Sequence, residues 1–255
     1  MPNLTGKVAL VTGASRGIGR GIAERLAADG ALVVVHYGSN ADAAAEVVAT
    51  IEAAGGAAFA VGQMLGVDGD VAGLFAKLDA ELESRRGSTD LDIVVNNAGI
   101  APQADLAATT EAIFDEVFAV NTRAPLFVAQ AAVERMGEGG RIVSISSGVT
   151  RQAWPNLLAY SMTKAAIDLM ARTLAKDLAP RGITVNVVAA GLVDTDMNAS
   201  WLRASDEARA EGASLSAFGR VGEPAHVADV VAFAASEDAR WVTGQVLDAT
   251  GGSVL

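Results

Sequence analysis

The sequence contains no cysteine, and this absence removes several kinds of chemistry. Disulfide bonds, a thiol nucleophile and thiolate metal ligands are all excluded. The two histidines, His36 and His226, stand far apart and form no metal-binding motif, so we expect no metal site. Any catalysis must therefore come from other side chains.

Basic residues are also scarce. The chain has 19 lysines and arginines against 30 acidic residues, which leaves a formal net charge of −11. A chain of this charge repels the phosphates of nucleic acids and of anionic membrane surfaces. We therefore expect neither nucleic acid nor a membrane as a partner, and an anionic cofactor would have to be bound by local groups.

Long hydrophobic runs are missing as well. No apolar stretch approaches the length needed to cross a bilayer, and residues 1–7 contain no basic region followed by a long apolar stretch, as a secretory signal would. We therefore expect a cytoplasmic protein. No linker rich in proline, glycine, serine or charge divides the chain, which predicts a single domain over residues 1–255.

Apolar residues make up 51% of the chain and fall into short unbroken runs that alternate with helical patterns. This alternation predicts an α/β fold: a doubly wound, mostly parallel Rossmann-type sheet with helices on both faces. Predicted strands cover residues 7–11, 31–36, 57–61, 91–95 and 141–145, with a last strand near 246–247. Predicted helices follow the first strand and cover residues 42–54, 68–85, 111–136 and 158–179, with a final helix from Pro224.

The first strand leads into a glycine-rich turn at residues 12–19, Thr-Gly-Ala-Ser-Arg-Gly-Ile-Gly, and then into a helix. Such a turn brings backbone N–H groups and the positive end of the helix dipole to one point, where a phosphate fits because no Cβ obstructs it. The spacing is G-x-x-x-G-x-G rather than the more common G-x-G-x-x-G. Together with the alternating strands and helices, this turn predicts a dinucleotide site.

The end of the second predicted strand favours NADP over NAD. It has the sequence His-Tyr-Gly-Ser-Asn at residues 36–40, with no carboxylate before Asp42, and a carboxylate there would repel a 2′-phosphate. Arg16 in the glycine turn and the donors at 37–40 suit an added dianion. The alternative is that Arg16 is a solvated surface charge and residues 37–40 are an ordinary turn. We expect His36 to pack or cap.

Polar and small residues mark the ends of two more predicted strands. The fourth ends in Asn-Asn-Ala-Gly at residues 96–99, and the fifth carries serines at 144, 146 and 147. In open α/β sheets these ends border the ligand crevice. We therefore expect some of these side chains to face a ligand.

Two helices carry further candidate groups. Pro125 lies inside a long predicted helix and has no N–H to give to the carbonyl of Asn121, so we expect a kink and a freed carbonyl. Tyr160 and Lys164 are four residues apart and share one helix face. A neighbouring ammonium favours a phenolate, and Lys164 is expected to lower the pKa of Tyr160 in this way.

In order and spacing these motifs resemble those of the short-chain dehydrogenase/reductase family, over essentially the whole chain. The resemblance extends to residues 186–195, which look like the family's nicotinamide loop, and to residues 242–245 and 251–252. It implies transfer of a hydride from NADPH to a ketone, giving an alcohol, and a homotetrameric assembly. The apolar faces of the helices at 111–136 and 158–179 also favour paired subunits.

The resemblance implies a role for each of four catalytic residues. Tyr160 would be the general acid in reduction and the base in oxidation, and Ser147 would hold and polarise the carbonyl oxygen. Lys164 would lower the pKa of Tyr160 and bind the nicotinamide ribose. Asn121 would hold a water through its main-chain carbonyl, which is the carbonyl that Pro125 is independently expected to leave free.

The resemblance also implies the residues that bind NADP(H). They are Gly13, Ser15, Arg16, Gly17, Ile18, Gly19, Tyr37, Ser39, Asn40, Asn96, Ala98, Gly99, Tyr160, Lys164, Gly191, Val193 and Thr195. Two positions depart from the family pattern. Met64 stands where many relatives have an aspartate that bonds adenine, so that contact should be lost or replaced by packing. Ala190-Gly191 replaces Pro-Gly, which favours a more mobile loop.

A substrate lid is expected at about residues 192–217, because this stretch follows the nicotinamide loop and mixes apolar with small and polar residues. The predicted substrate contacts are Val149, Trp154, Leu192, Met197 and Trp201. They favour an apolar carbonyl substrate that carries no required charge. The alternative for Trp201 is ordinary packing inside the lid.

Three other functions are compatible with the motifs. A 3-oxoacyl carrier-protein reductase shares the fold and the catalytic residues, but residues 192–217 offer only two arginines against five acidic residues as a landing surface for an acidic carrier. An NAD-dependent alcohol dehydrogenase is disfavoured by Arg16 and by the missing acid after the second strand. A catalytically silent nucleotide sensor should have a broken catalytic set, and this chain keeps all four members.

Overall fold

The computed structural model describes residues 3–253, which contain one sheet of seven strands. The strands are β1 Val8–Val11, β2 Leu32–Tyr37, β3 Ala57–Gly62, β4 Ile93–Asn96, β5 Arg141–Ser147, β6 Thr184–Ala190 and β7 Val246–Ala249. Their order across the sheet is β3-β2-β1-β4-β5-β6-β7, and every neighbouring pair is parallel.

Nine α-helices occur within the same described residues. They are α1 Gly17–Ala28, α2 Ala41–Ala53, α3 Asp70–Arg86, α4 Glu111–Phe118, α5 Ala124–Val133, α6 Leu158–Leu178, α7 Ala199–Leu202, α8 Asp206–Ser214 and α9 Pro224–Ala235. Between residues 3 and 253, no helix is both long enough and apolar enough to cross a membrane.

Each face of the sheet has its own apolar core. In β1, Ala9 and Val11 enter the core shared with α1, α2 and α9, whereas Val8 and Leu10 enter the core shared with α3, α5 and α6. Successive side chains of a strand point to opposite faces, so a strand covered on both faces must be apolar at every position. This double burial explains the unbroken apolar runs in the sequence.

The centre of the sheet determines where a ligand can bind. Strand β1 lies between β2 and β4, so the order of strands reverses at β1 and β4. The loops that leave these two strands diverge to opposite faces and open a crevice at their carboxyl ends. Residues 12–19 and 96–99 therefore meet at one edge of the sheet.

The doubly wound α/β fold predicted from the sequence is confirmed, and the sheet is wholly rather than mostly parallel. The predicted ends of most strands and helices differ from the observed ones by no more than two residues. Strand β6 is not predicted from the sequence, in which residues 186–195 resemble the nicotinamide loop.

The long helical region predicted over residues 111–136 is present as far as Val133, but it is not one regular α-helix. The chain forms α4, then a π-helical turn at Ala119–Arg123, and then α5, which ends at Val133. Pro125 has no N–H to offer at the start of α5, and the Ala124 N–H bonds the carbonyl of Ala119, five residues back. The expected distortion is present, but as a widened turn that contains Asn121.

Candidate active site

The glycine turn after β1 is held by very close approach of two backbone segments. Gly13 has a φ of +64°, and a Cβ at this position would lie 2.9 Å from the Cα of Ala98. At Gly19, a Cβ would overlap the carbonyl oxygen of Gly13 and the side chain of Asn97. Only glycine fits both positions. The turn therefore lies directly against the segment that follows β4.

The amino terminus of α1 is open to an anion. Its first turn contains no acidic residue, and the side chain of Arg16, at the N-cap position, makes no capping hydrogen bond. The first N–H groups of a helix have no partner within the helix and carry the positive end of its dipole. A phosphate group can bind them without displacing a protein side chain.

Two polar side chains fasten this turn to β4. The Oγ1 of Thr12 donates to the Val95 carbonyl at 3.3 Å and accepts from the amides of Asn97, at 3.0 Å, and Ala98, at 3.1 Å. The Nδ2 of Asn97 donates to the carbonyls of Thr12, at 2.9 Å, and Gly13, at 3.1 Å. Neither residue was among the predicted site residues.

Some predicted cofactor residues serve the protein itself. The Nδ2 of Asn96 donates to the Pro125 carbonyl at 3.3 Å, so this buried side chain supports α5. The Oδ1 of Asn40 accepts from the Ala43 amide at 3.0 Å and caps α2. Ser39 is exposed beside it. Asn40 and Ser39 nevertheless stay at the carboxyl edge of the sheet, where the sequence predicted them.

The other residues of the predicted 2′-phosphate region lie at the end of β2. The ring of Tyr37 covers Gly62 of β3, where a Cβ would lie 2.6 Å from the Tyr37 Cζ. Met64 is 49% exposed and lies near Gly38, so it offers an apolar surface where the family pattern has an aspartate. The guanidinium of Arg16 is exposed and reaches within 4.0 Å of the Asp196 carboxylate.

Three of the predicted catalytic side chains converge at the carboxyl end of β5. Ser147 is the last residue of β5, and α6 carries Tyr160 and Lys164 on successive turns. The Nζ of buried Lys164 donates to the Ile145 carbonyl at 2.8 Å and lies 5.5 Å from the centre of the Tyr160 ring. Helix spacing and the end of β5 thus bring the phenol, the ammonium and the hydroxyl together.

The pKa of Tyr160 differs in direction from what the sequence leads us to expect. Burial raises the pKa of Tyr160 to about 12, and the side chain of Ser147 acts in the opposite direction. Burial also lowers the pKa of Lys164 to about 8, although the negative charge of Asp168 acts to raise it. The net shift of the Tyr160 pKa is therefore opposite to the lowering expected from Lys164, because desolvation dominates. Tyr160 keeps its proton at neutral pH.

Asn121 lies in the π-helical turn and is buried. Its Oδ1 accepts from the amide of Ile100 at 2.9 Å, and its Nδ2 donates to the Ile100 carbonyl at 2.8 Å and to the Oγ1 of Thr163 at 3.2 Å. Thr163 in turn donates to the Tyr160 carbonyl at 2.6 Å. The side chain of Asn121 therefore joins the loop after β4 to the helix that carries Tyr160.

The predicted nicotinamide loop lies over the glycine turn. Val193 is buried and forms a bridge to Gly222, and its carbonyl accepts from the Nδ2 of Asn198 at 2.8 Å. The methyl group of Thr195 would be 3.3 Å from a Cβ at Gly17. The loop and the start of α1 are thus in contact, with the crevice beside them.

An ion cluster fixes the first part of the predicted lid. The carboxylate of Asp194 accepts from the Nε of Arg203 at 3.0 Å and from the Nη1 of Arg209 at 2.8 Å. These hydrogen bonds, Arg209 first, hold the pKa of Asp194 below its usual range. Arg203 also lies 3.9 Å from Asp196. The two arginines of the lid are therefore already paired with its own acids.

The predicted substrate residues divide into two groups. Leu192, Trp201 and Leu202 converge on Gly212 of α8, where a Cβ would contact all three, so Trp201 packs at least partly within the lid. Val149 and Trp154 follow β5 and are half-buried, and Met197 is 53% exposed.

The segment containing Val149 and Trp154 meets a loop that was not predicted. The amide of Ala104 donates to the Asn156 carbonyl at 2.8 Å. Leu157 forms a bridge to the same alanine. The loop after β4 therefore forms a wall of the crevice, and a backbone pairing between two loops leaves no sequence signal.

Comparisons with known proteins agree with this geometry. A family model described as "Enoyl-(Acyl carrier protein) reductase" matches residues 13–253. Versicolorin reductase 1 from Aspergillus parasiticus is 44% identical over 260 residues, which cover 98% of this chain and 97% of that protein. The chain belongs to the short-chain dehydrogenase/reductase family. Tetrahydroxynaphthalene reductase from Pyricularia oryzae is 40% identical over 265 residues, covering 99% of this chain and 91% of that reductase.

Solved short-chain dehydrogenase/reductase structures superpose closely on this chain. The angucycline C-6 ketoreductase LanV, crystallised with bound NADP, is 53% identical with a TM-score of 0.95, and the match covers 99% of this chain and 97% of LanV. The reductase LugOII, described as catalysing keto-reduction at C1 during lugdunomycin biosynthesis, is 51% identical with a TM-score of 0.95 and 99% coverage of both chains.

Proposed function

We propose that the protein is an NADP-dependent oxidoreductase that reduces a ketone to an alcohol. The observation that carries this proposal is the convergence of Ser147, Tyr160 and Lys164 at the end of β5, at the same edge of the sheet as a glycine turn that can hold a phosphate. The ketoreductases LanV and LugOII share the fold and about half of the sequence, which supports the same reaction class.

The crevice offers binding groups for two phosphate-bearing parts of NADP(H). The cradle formed by Gly13, Ser15, Gly17, Ile18 and Gly19 accepts the pyrophosphate, because the amides at the start of α1 face no acid. The 2′-phosphate is bound by the guanidinium and neutral donors of Arg16, Tyr37, Ser39 and Asn40.

The remaining cofactor contacts lie along the floor of the crevice. Ala98 and Gly99 line it beside the turn, Asn96 supports it from behind, and the nicotinamide half is held by Tyr160, Lys164, Gly191, Val193 and Thr195. When bound, the cofactor supplies the hydride.

The protein's own part in the reaction is to hold the carbonyl and deliver a proton. Tyr160 donates its phenolic proton to the carbonyl oxygen of the substrate, and Ser147 donates a hydrogen bond to the same oxygen. A phenol with a pKa of about 12 carries the proton that reduction consumes. Lys164 would hold the ribose of the bound cofactor and, with a water at the Asn121 carbonyl, would resupply the proton to Tyr160.

We propose a ketone on a fused aromatic ring system as the substrate class. Versicolorin reductase and tetrahydroxynaphthalene reductase match almost the full chain, and LanV acts on an angucycline. The half-buried Val149 and Trp154, which follow Ser147 along the chain, and the exposed Met197 offer apolar surface. Leu192 and Trp201, which pack together at Gly212 in the predicted lid at about residues 192–217, would add apolar contacts to the substrate.

A 3-oxoacyl carrier-protein reductase is the second candidate, and the charges of the lid oppose it. Arg203 and Arg209 are paired with Asp194, so neither is free to receive an acidic carrier protein. The acids of α8 are exposed, namely Asp206, Glu207 and Glu211. The complete catalytic set disfavours a nucleotide sensor without turnover. Arg16 disfavours a preference for NAD over NADP.

We also propose a cytoplasmic homotetramer that binds no nucleic acid. Large apolar side chains are exposed on α4, α5 and α6, as expected for helices that pair with a second subunit: Phe114, Leu126, Phe127, Met162 and Leu169. The net charge of −11 opposes association with nucleic acid.

The test is the initial rate of reduction for a panel of fused-ring aromatic ketones, β-ketoesters and a 3-oxoacyl thioester, with NADPH and NADH in parallel. We expect turnover with NADPH and the fused-ring ketones, abolished in Tyr160→Phe while NADPH binding is kept. Tight NADPH binding without turnover of any carbonyl would favour the sensor. Faster turnover of the thioester would favour the carrier-protein reductase.

A further inference from the structure

His36 is a buried histidine whose two ring nitrogens are both used. It lies in β2 and is only 2% exposed. Its Nδ1 lies 3.1 Å from the amide nitrogen of Gly13, in the glycine turn, and its Nε2 lies 2.8 Å from the carbonyl oxygen of Gln63, just after β3. The imidazole therefore spans from the third strand to the turn that follows the first.

These partners fix the tautomer of the ring. A backbone amide can only donate and a carbonyl can only accept, so Nδ1 must offer a lone pair to Gly13 and Nε2 must carry the hydrogen that goes to Gln63. A protonated ring would place two N–H groups against each other at Gly13. Burial lowers the pKa of His36 to about 4, which keeps the ring neutral.

The same residue binds the turn a second time through its backbone. The His36 carbonyl accepts from the Ala14 amide at 2.8 Å. The backbone amides of residues 13 and 14 thus both donate hydrogen bonds to His36. The amides at the start of α1 remain available to bind an anion. The Gln63 end of the link is also fixed, because the Nζ of Lys77 on α3 donates to the Gln63 Oε1 at 2.9 Å and to the Gly62 carbonyl at 2.7 Å.

We propose that His36 is a positioning residue for NADP(H): by accepting the Gly13 amide, it fixes the direction of the glycine turn and thereby sets cofactor affinity without contacting the cofactor. This inference rests on the proposed binding of the pyrophosphate at the turn. It assigns function to a side chain for which the sequence predicted only packing or capping.

The alternative is that His36 merely fills space in β2. Two substitutions separate the two roles, because each retains one half of the imidazole. In His36→Asn, the Oδ1 can stand at the position of Nδ1 and accept from Gly13, but nothing reaches Gln63. In His36→Gln, the Nε2 can stand at the position of the ring Nε2 and donate to Gln63, but Gly13 loses its acceptor.

The experiment measures the dissociation constant of NADPH by isothermal titration for the wild-type protein and the two variants, together with the midpoint of urea unfolding. We expect His36→Asn to bind within about twofold of wild type and His36→Gln about tenfold more weakly, as for the loss of one buried acceptor. At saturating NADPH, the kcat of both variants should stay within about twofold of the wild-type value. His226→Gln, at the start of α9, is the matched control and should bind as wild type does.

The proposal would be overturned if both variants bound NADPH as tightly as the wild type does, or if both bound it more weakly to the same extent. Equal weakening would indicate that His36 acts through packing or through its contact with Gln63 alone. If His36→Gln does not fold, the 15N chemical shifts of the His36 ring in the wild-type protein decide, since a hydrogen on Nδ1 is incompatible with the proposal. Failure of the wild-type protein to bind NADPH would instead contradict the proposed function.

Discussion

Acidification is expected to destabilise the folded protein through His36. The ring is neutral in the fold because burial lowers its pKa to about 4 from the ordinary value of 6.5, and the positive charge of Lys77 acts in the same direction. The unfolded chain therefore binds a proton at residue 36 more readily than the folded chain does. The stability contributed by neutral His36 is fully present above pH 6.5 and is lost as the pH falls through the interval from 6.5 to 4.

The size of the effect follows from the two pKa values. Their difference corresponds to about 3 kcal/mol of unfolding free energy over the whole interval, and to about 2 kcal/mol at pH 5. Carboxylates also titrate in acid, so the wild-type curve alone does not isolate this contribution. His36→Asn has no titrating group at this position and keeps the Gly13 acceptor, which makes it the reference.

The assay is urea unfolding of both proteins at pH 8 and pH 5, at one protein concentration. We expect the unfolding free energy of the wild type to fall by about 2 kcal/mol more than that of His36→Asn between the two pH values. A difference that stays constant within error would refute the reasoning, because it would mean that the buried ring does not resist protonation.

Three further predictions concern the cofactor turn and the lid. Arg16→Ala should weaken NADPH binding about tenfold and leave NADH binding nearly unchanged, as measured by titration with both nucleotides, and an equal loss for both would contradict a 2′-phosphate contact. Gly19→Ala should lower NADPH affinity at least about tenfold, because its Cβ overlaps the Gly13 carbonyl, and wild-type affinity would show that the turn can move aside. Asp194→Ala should increase protease cleavage within residues 192–217 several-fold by freeing two arginines, and an unchanged cleavage rate would show that packing alone holds the lid.

The sequence predicted those features that depend on local spacing. Tyr160 and Lys164 fall on one face of α6 because four residues make about one helical turn, and Ser147 falls at the edge of the sheet because β5 ends there. The alternation of strands and helices likewise predicted the doubly wound fold. Each of these inferences needs only the geometry of a single element or of one repeated unit.

Features that depend on distant partners were not predicted. Thr12 and Asn97 stand 85 residues apart, and their mutual hydrogen bonds arise only once β1 and β4 are neighbours. The direction of the Asn96 side chain, toward the Pro125 carbonyl, is set by the position of α5. The pKa of Tyr160 depends on how much protein surrounds the phenol, which helix spacing does not reveal.

The side chains that fasten the glycine turn come early in the order of synthesis. His36, Asn97 and Thr12 all lie in the first 98 residues, whereas Asn121, Ser147, Tyr160 and Lys164 follow later in the chain. These three residues are therefore synthesised before the proposed catalytic residues, whereas α9, which packs against α1, is synthesised after them. The groups that fasten the glycine turn thus leave the ribosome before the groups proposed to transfer the proton.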